Sequence, residues 1–297
     1  MSRHHFVPQF MLYNWATNGQ INSFWWETGA NKIIESPVAV RKACQIEDLN
    51  TFYGVSRSQR NFPEDDFFTP QIDTPANDAL AVMLSSGIQG LSFEQRRAWA
   101  RFLVAFAVRT PETLRKMGPI ETRKGLREAQ ERTSGPPDFE AQVSKIIENN
   151  MPALERNMPL QIAMELASDL EKINAVMAMD WWIRQLDRDD ILVGDRPLLA
   201  MPRMPFPCGI PLDNPDCLIV LPISPGTLFF ASANPKTRPK NRNMTPSRLT
   251  YVINEETIAC ADTYVYSLNS SPASLVTKKL TQKILENQEG SYNASVK

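Results

Sequence analysis

The segment from Ser92 to Val108 constrains the fold more than any other stretch of this chain. Ser92 followed three residues later by Gln95 is a capping box, so a helix starts there. From Phe102 to Val108 the helix carries no charged residue and is apolar on most sides. Such a helix has no face to offer water, so it belongs at the centre of a core that other elements must surround. With 297 residues, the chain is long enough to build that core without disulfides or metals. Its 42% hydrophobic and 22% charged content belongs to an ordinary folded protein.

The elements around that helix read as α+β, helix-dominated, one domain over 1–297 with a small antiparallel sheet from N- and C-terminal hairpins. A hairpin region spans 1–74, a helical core 75–190, a strand and helix region 191–289, and a frayed tail 290–297. Gln20 to Trp26 and Lys32 to Val38 are strand-like around Thr28-Gly29-Ala30-Asn31. Arg57 to Pro75 is polar and proline-punctuated, which predicts an ordered surface loop. Thr110-Pro111 restarts a helix ending at Gly118, and Pro119 to Arg132 forms another. The longest predicted helix runs from Pro159 to Asp187. Ile162, Leu166, Leu170, Ile173, Met177, Trp181 and Arg184 recur at spacings of three and four, a stripe expected to pack on the Ser92–Val108 helix. Ile191 to Val193 is a short strand before Gly194-Asp195-Arg196-Pro197. Leu218 to Ser224 and Thr227 to Ser232 form a hairpin about Pro225-Gly226. A basic loop follows, then a helix from Pro246 to Ala261, a strand at Tyr264 to Ser267, and a helix from Ala273 to about Asn287.

Several function classes are closed by residue counts. The two histidines, His4 and His5, adjoin each other, so three-histidine zinc sites, H-E-x-x-H helices and Cys-Cys-His-His fingers are excluded. Cys44, Cys208, Cys217 and Cys260 show no C-x-x-C spacing. No Walker loop, G-x-G-x-x-G or G-x-S-x-G is present. The net charge of −1 argues against a generally basic surface. No secretory leader and no apolar run of membrane length is visible, so a cytoplasmic protein with reduced thiols is expected.

Five motifs carry a family resemblance. They are His4-His5-Phe6-Val7-Pro8-Gln9-Phe10-Met11-Leu12, Phe106-Ala107-Val108-Arg109-Thr110-Pro111, Gly194-Asp195-Arg196-Pro197-Leu198, Leu221-Pro222-Ile223-Ser224-Pro225, and Ala261 to Ser267. In this order the chain resembles the domain of unknown function 4238 (DUF4238) family. Phe106 stands where that family carries Gln, and Gly194 and Arg196 where it carries Ser and Asn. The resemblance implies no assigned activity.

The residues themselves offer a candidate site. Neighbours on an extended lead-in point to opposite faces, so one of His4 and His5 enters a given site, as a base or metal ligand. Asp195, at a strand end, either caps its own turn or presents a carboxylate that orients the histidine or holds Mg²⁺ or Mn²⁺. Arg109 closes an apolar helix and needs a partner, either a carboxylate (Asp73, Asp78 or Asp195) or a ligand phosphate. Arg101, about 80° around the helix, would flank the same groove. Asp73 and Asp78 otherwise read as residues of a helix start. Lys236, Arg238, Lys240 and Arg242 form a basic segment suited to a phosphate backbone or to a solvated face. Trp25-Trp26 and Trp181-Trp182 serve core packing or base stacking.

Two readings remain open. In one, His4 or His5, Asp195 and Arg109 form the site of a hydrolase or phosphodiesterase, nuclease-like, acting on a nucleotide or nucleic acid with a divalent metal as an optional cofactor. In the other, the chain is a non-catalytic binding or interaction protein, and the same residues form a structural polar network. Both expect an imidazole beside Asp195 and Arg109.

Overall fold

The computed structural model describes residues 2–132, 137–201 and 210–295. It is α+β with helices dominant. Strand β1 (Arg3–His5) pairs antiparallel with β4 (Gln45–Glu47), His4 opposite Ile46. Pro8, extended at φ −58° and ψ 139°, launches α1 (Gln9–Leu12). The hairpin of β2 (Gln20–Glu27) and β3 (Lys32–Ala39) forms where expected, with Asn31 in the left-handed region at φ 50°.

Two four-stranded antiparallel sheets follow from long-range pairing. In the first, β10 (Tyr264–Ser267) inserts between β2 and β6 (Val193–Gly194), giving the order β3-β2-β10-β6. Strands from both ends of the chain thus share one sheet. The second has the order β5-β9-β8-β7, from β5 (Asp180–Gln185), β7 (Leu199–Met201), β8 (Leu218–Ser224) and β9 (Thr227–Ser232). Strand β9 is buried along its whole length. Helices α2 (Thr74–Ser86) and α3 (Phe93–Phe106) pack together, and the expected capping box holds the start of α3. Trp99 and Phe102 of α3 are fully buried, and Trp99 meets Phe229 of β9 edge to face at 5.7 Å. The helix is central, as its sequence required.

Several expectations fail, each for a local reason. The helix over Pro159–Asp187 does not exist. Helix α5 (Pro137–Leu166) ends first, α6 (Leu170–Ala178) restarts, and Trp181 to Arg184 lie on β5. Asp169 breaks the continuity by accepting the N–H groups of Glu171 and Lys172 at 3.0 and 3.2 Å as an N-cap. A run rich in β-branched and aromatic residues then gains more by pairing with β9, where Trp182 stacks on Phe230 at 5.1 Å. Of the expected stripe, Ile173 is buried, Ile162 and Leu166 are half-buried, and Leu170 is 57% exposed.

The stretch read as a surface loop contains a π-helix, Pro63–Asp73, with Phe67, Phe68 and Ile72 buried. Helix α4 (Pro111–Arg132) runs through Pro119 unbroken. It packs closely on α5, and a Cβ at Gly118 would collide with the Glu155 carbonyl. Part of the basic loop folds as α7 (Thr237–Arg242). Helix α8 (Pro246–Cys260) stands as expected, and α9 (Ala273–Ser295) extends past Asn287. Among the described residues no helix is long and apolar enough to cross a membrane.

Candidate functional site

The predicted site residues separate into two groups. The first is a buried polar ladder. His4 is 3% exposed, and its Nδ1 accepts the Asn50 N–H at 3.0 Å. Asn50 Nδ2 donates to Glu64 Oε2 at 2.7 Å, and Glu64 Oε1 accepts the Thr69 hydroxyl at 3.2 Å. Wide i→i+5 helical bonding brings residues four to five apart onto one face. Thr69 is exposed, while Glu64 and Asp73 are half-buried along the π-helix. At its end Asp73 Oδ1 stands 2.7 Å from Arg109 Nη2, an ion pair whose angles fall short of a hydrogen bond. The Arg109 side chain is 2% exposed, with the rings of Phe68, Phe102 and Phe106 at 5.4–5.7 Å from its guanidinium carbon. Burial pushes the Asp73 carboxyl above its ordinary pKa, and the Arg109 charge only partly offsets this. His5 faces elsewhere. Its Nε2 lies 3.1 Å from the Arg41 carbonyl and its Nδ1 3.5 Å from Gln9 Nε2, so Nε2 donates and Nδ1 accepts. Burial holds its pKa below the usual imidazole range.

The second group surrounds Asp195, just after β6. Its Oδ1 accepts the Asp262 N–H at 2.7 Å, and its Oδ2 accepts those of Thr263 and Tyr264 at 2.7 and 2.8 Å. Asp195 therefore staples the turn between α8 and β10. Burial raises its pKa, against the pull of those three donors. Nearby, the Cys44 thiol donates to the Tyr266 hydroxyl at 3.3 Å. Burial drives both pKa values upward, so neither is an ionised nucleophile at neutral pH.

Asp195, Cys44 and Tyr266 line one side of an open cavity of about 510 Å³. Phe6, Ser23 and Tyr264 complete its inner wall. Tyr264 stacks on Tyr266 at 6.1 Å and tilts against Trp25 at 6.3 Å. The rim is charged. Exposed Lys42 comes from the segment before β4, while Glu112 and Arg115 come from the first turns of α4. Arg115 grips both oxygens of Glu112 at 2.9 Å, and with Lys116 it pulls the Glu112 pKa down to about 2.

The expected single cluster is not assembled by direct contact. Among the described residues, no hydrogen bond or ion pair joins His4 or His5 to Asp195 or to Arg109. Of the carboxylates offered to Arg109, Asp73 takes the role and Asp78 sits exposed on α2. Arg101 does not share a groove with Arg109: it donates to the Ala167 carbonyl at 2.8 Å, while Arg109 points into the core. In the basic segment Lys236 and Arg242 are exposed, Arg238 pairs with Asp180 at 3.1 Å, and the side chain of Lys240 lies outside the described residues. No group of three or more His, Cys, Asp or Glu residues able to hold a metal is present among the described residues. Sequence reading missed Asn50, Glu64, Tyr264, Tyr266 and the Glu112–Arg115 pair. Only the last left a local signal, opposite charges three apart at a helix start.

Fold and cavity together define a helix-dominated α+β protein with an open, aromatic-walled pocket lined by segments far apart in the chain. Its sequence matches the family model described as a protein of unknown function (DUF4238) over residues 3–271, and the chain belongs to that family. No curated protein and no solved structure matches it. Four of the five motif segments meet at the cavity, through Phe6, Pro111, Asp195 and the stretch 262–266. The fifth, Leu221 to Pro225, lies mostly on buried β8.

Proposed function

We propose that the protein binds a small nucleotide-like ligand in this cavity, with a flat ring against Tyr264 and Phe6 and an anionic group at the exposed Lys42. The observation that carries this reading is the convergence of four motif segments on one open pocket, when each could have met its structural needs separately. The volume falls within the roughly 300–1,000 Å³ usual for small-ligand pockets. Aromatic faces supply sequence-tolerant stacking, and Lys42 presents an exposed ammonium at the rim.

Binding ranks ahead of hydrolysis here. Both Asp195 oxygens are already engaged by backbone donors, and both histidines have structural partners. Hydrolysis keeps one supporting observation, a carboxyl with a raised pKa on the cavity wall.

The test titrates the full chain with adenosine monophosphate, adenosine and inorganic phosphate, following intrinsic tryptophan fluorescence, to which Trp25 beside Tyr264 contributes. Saturable quenching by the nucleotide that is at least about tenfold tighter than by either fragment is expected. Equal or absent response to all three overturns the reading. Phosphate release that disappears in Asp195→Asn would put hydrolysis first.

A further inference from the structure

A second cavity lies beside α4, touching the motif segments only at Ala107 and Val108. It measures about 300 Å³. Val104 of α3, Ala107 just past its end, Met117 of α4, Ile162 and Leu166 of α5, and Leu212 form its apolar wall. Lys172 and Glu121 are the charged residues at its edge. Apolar walls that face water in an open cavity favour an apolar occupant. An apolar cavity of roughly 150 Å³ already takes up benzene, so this one has room for an aliphatic chain or a fused ring.

The edge charges decide which amphiphile fits. Lys172 is already neutralised, donating to Asp169 Oδ2 at 2.8 Å, with Glu171 and Asp213 adding to the negative surroundings that raise its pKa. Glu121 forms no hydrogen bond or ion pair among the described residues. The uncompensated charge of the lining is therefore a carboxylate, beside a surface already rich in acids.

We propose that this cavity is a second binding site, for a cationic amphiphile whose apolar body fills the space between α3, α4 and α5 and whose ammonium group pairs with Glu121. A fatty acid is the wrong ligand, because its carboxylate would meet Glu121 and find Lys172 taken. The site shares no lining residue with the nucleotide-like pocket and stands independently of it.

Calorimetric titration of the full chain with n-octylammonium, n-octanol and octanoate tests this. Binding with one-to-one stoichiometry is expected, with octylammonium at least about tenfold tighter than octanoate. Glu121→Gln should bring octylammonium to the affinity of octanol while octanol binding stays unchanged. Ala107→Trp, which projects a ring into the cavity, should abolish binding of all three, and its unchanged circular dichroism spectrum would show that the fold survives. Octanoate binding as tightly as octylammonium, or full binding retained in Ala107→Trp, overturns the proposal. So does an amine preference that persists in Glu121→Gln.

Discussion

The ladder under the π-helix and the cavity beside Asp195 are built from the same kinds of residues and end in opposite states. In the ladder, His4, Asn50 and Arg109 are at most 3% exposed, and aromatic rings close over the arginine. In the cavity, the charged groups stand at an open rim and the aromatic residues line a space that a ligand can enter. The difference teaches that a charged motif residue is not by itself a pointer to chemistry. Arg109 belongs to a family motif, yet it serves the core. Arg115, six residues later in the first turns of α4, faces solvent and a pocket.

That contrast breaks first on stability. Asp73→Ala leaves the Arg109 charge buried without its partner, and should cost about 3–5 kcal/mol in urea unfolding. Arg115→Ser on the rim should stay within about 0.5 kcal/mol. Equal effects at the two positions would erase the distinction between ladder and cavity. Replacing both Asp73 and Arg109 with Leu should recover most of the loss, because an apolar pair leaves no unpaired charge in the core.

A smaller effect is expected at the other end of the ladder. His4→Phe leaves the Asn50 N–H without its acceptor, a loss of about 1–3 kcal/mol visible as a lower melting temperature. His5→Phe, on the outer side, should change stability by less. A larger loss from His5→Phe would mean that the ladder continues through the wrong histidine.

On the cavity side the readout is affinity. Tyr264→Ala should weaken adenosine monophosphate by the worth of one stacked ring, about 1–3 kcal/mol, without a comparable fall in melting temperature. Salt sharpens this further. Lys42→Ser should flatten the salt dependence of that binding by the share of one phosphate contact. Replacing Lys236 and Arg242 with Ser should leave it as it was. Should that second pair flatten the slope instead, or should nucleic acid bind through it, the basic segment and not the cavity is the anion site.

The smallest expected effect is in pH. Glu112 has its folded pKa lowered to about 2 from an ordinary value of 4.5. The stabilisation from its pair with Arg115 is complete above the ordinary value and is lost as pH falls through this interval. Glu112→Gln should remove that portion of the acid limb, a slight change because the pair is solvent-screened. Asp73 has the opposite sign. Its raised pKa means that burying its charge costs stability, a cost that grows as pH rises from the ordinary carboxylate value to the raised one. An acid limb unchanged by Glu112→Gln would show that the rim pair contributes nothing to folding.

Much of the fold was legible in the residues alone. Alternation and turn chemistry placed both hairpins, the Ser92–Gln95 capping box placed α3, and the charge-free run from Phe102 to Val108 required its burial. These signals are local, arising from φ/ψ preferences and from the distance between a cap and its helix. Motif order identified the family over most of the chain. The β5 strand was not legible, because spacings of three and four in Met177, Trp181 and Arg184 suit a helix equally well, and only the β9 partner settles it. The π-helix was not legible either, since its prolines read as loop punctuation until Phe67, Phe68 and Ile72 are given a core to enter. The sites show the same division. The sequence by itself determined that Arg109 needs a partner and that Asp195 ends a strand. Tertiary structure alone decided that Asp73 is that partner and that Asp195 binds the 262–264 backbone. The physical reason is that a buried charge or donor takes whichever complement the packed core brings within about 3 Å, and which residue that is depends on contacts between segments far apart in the chain.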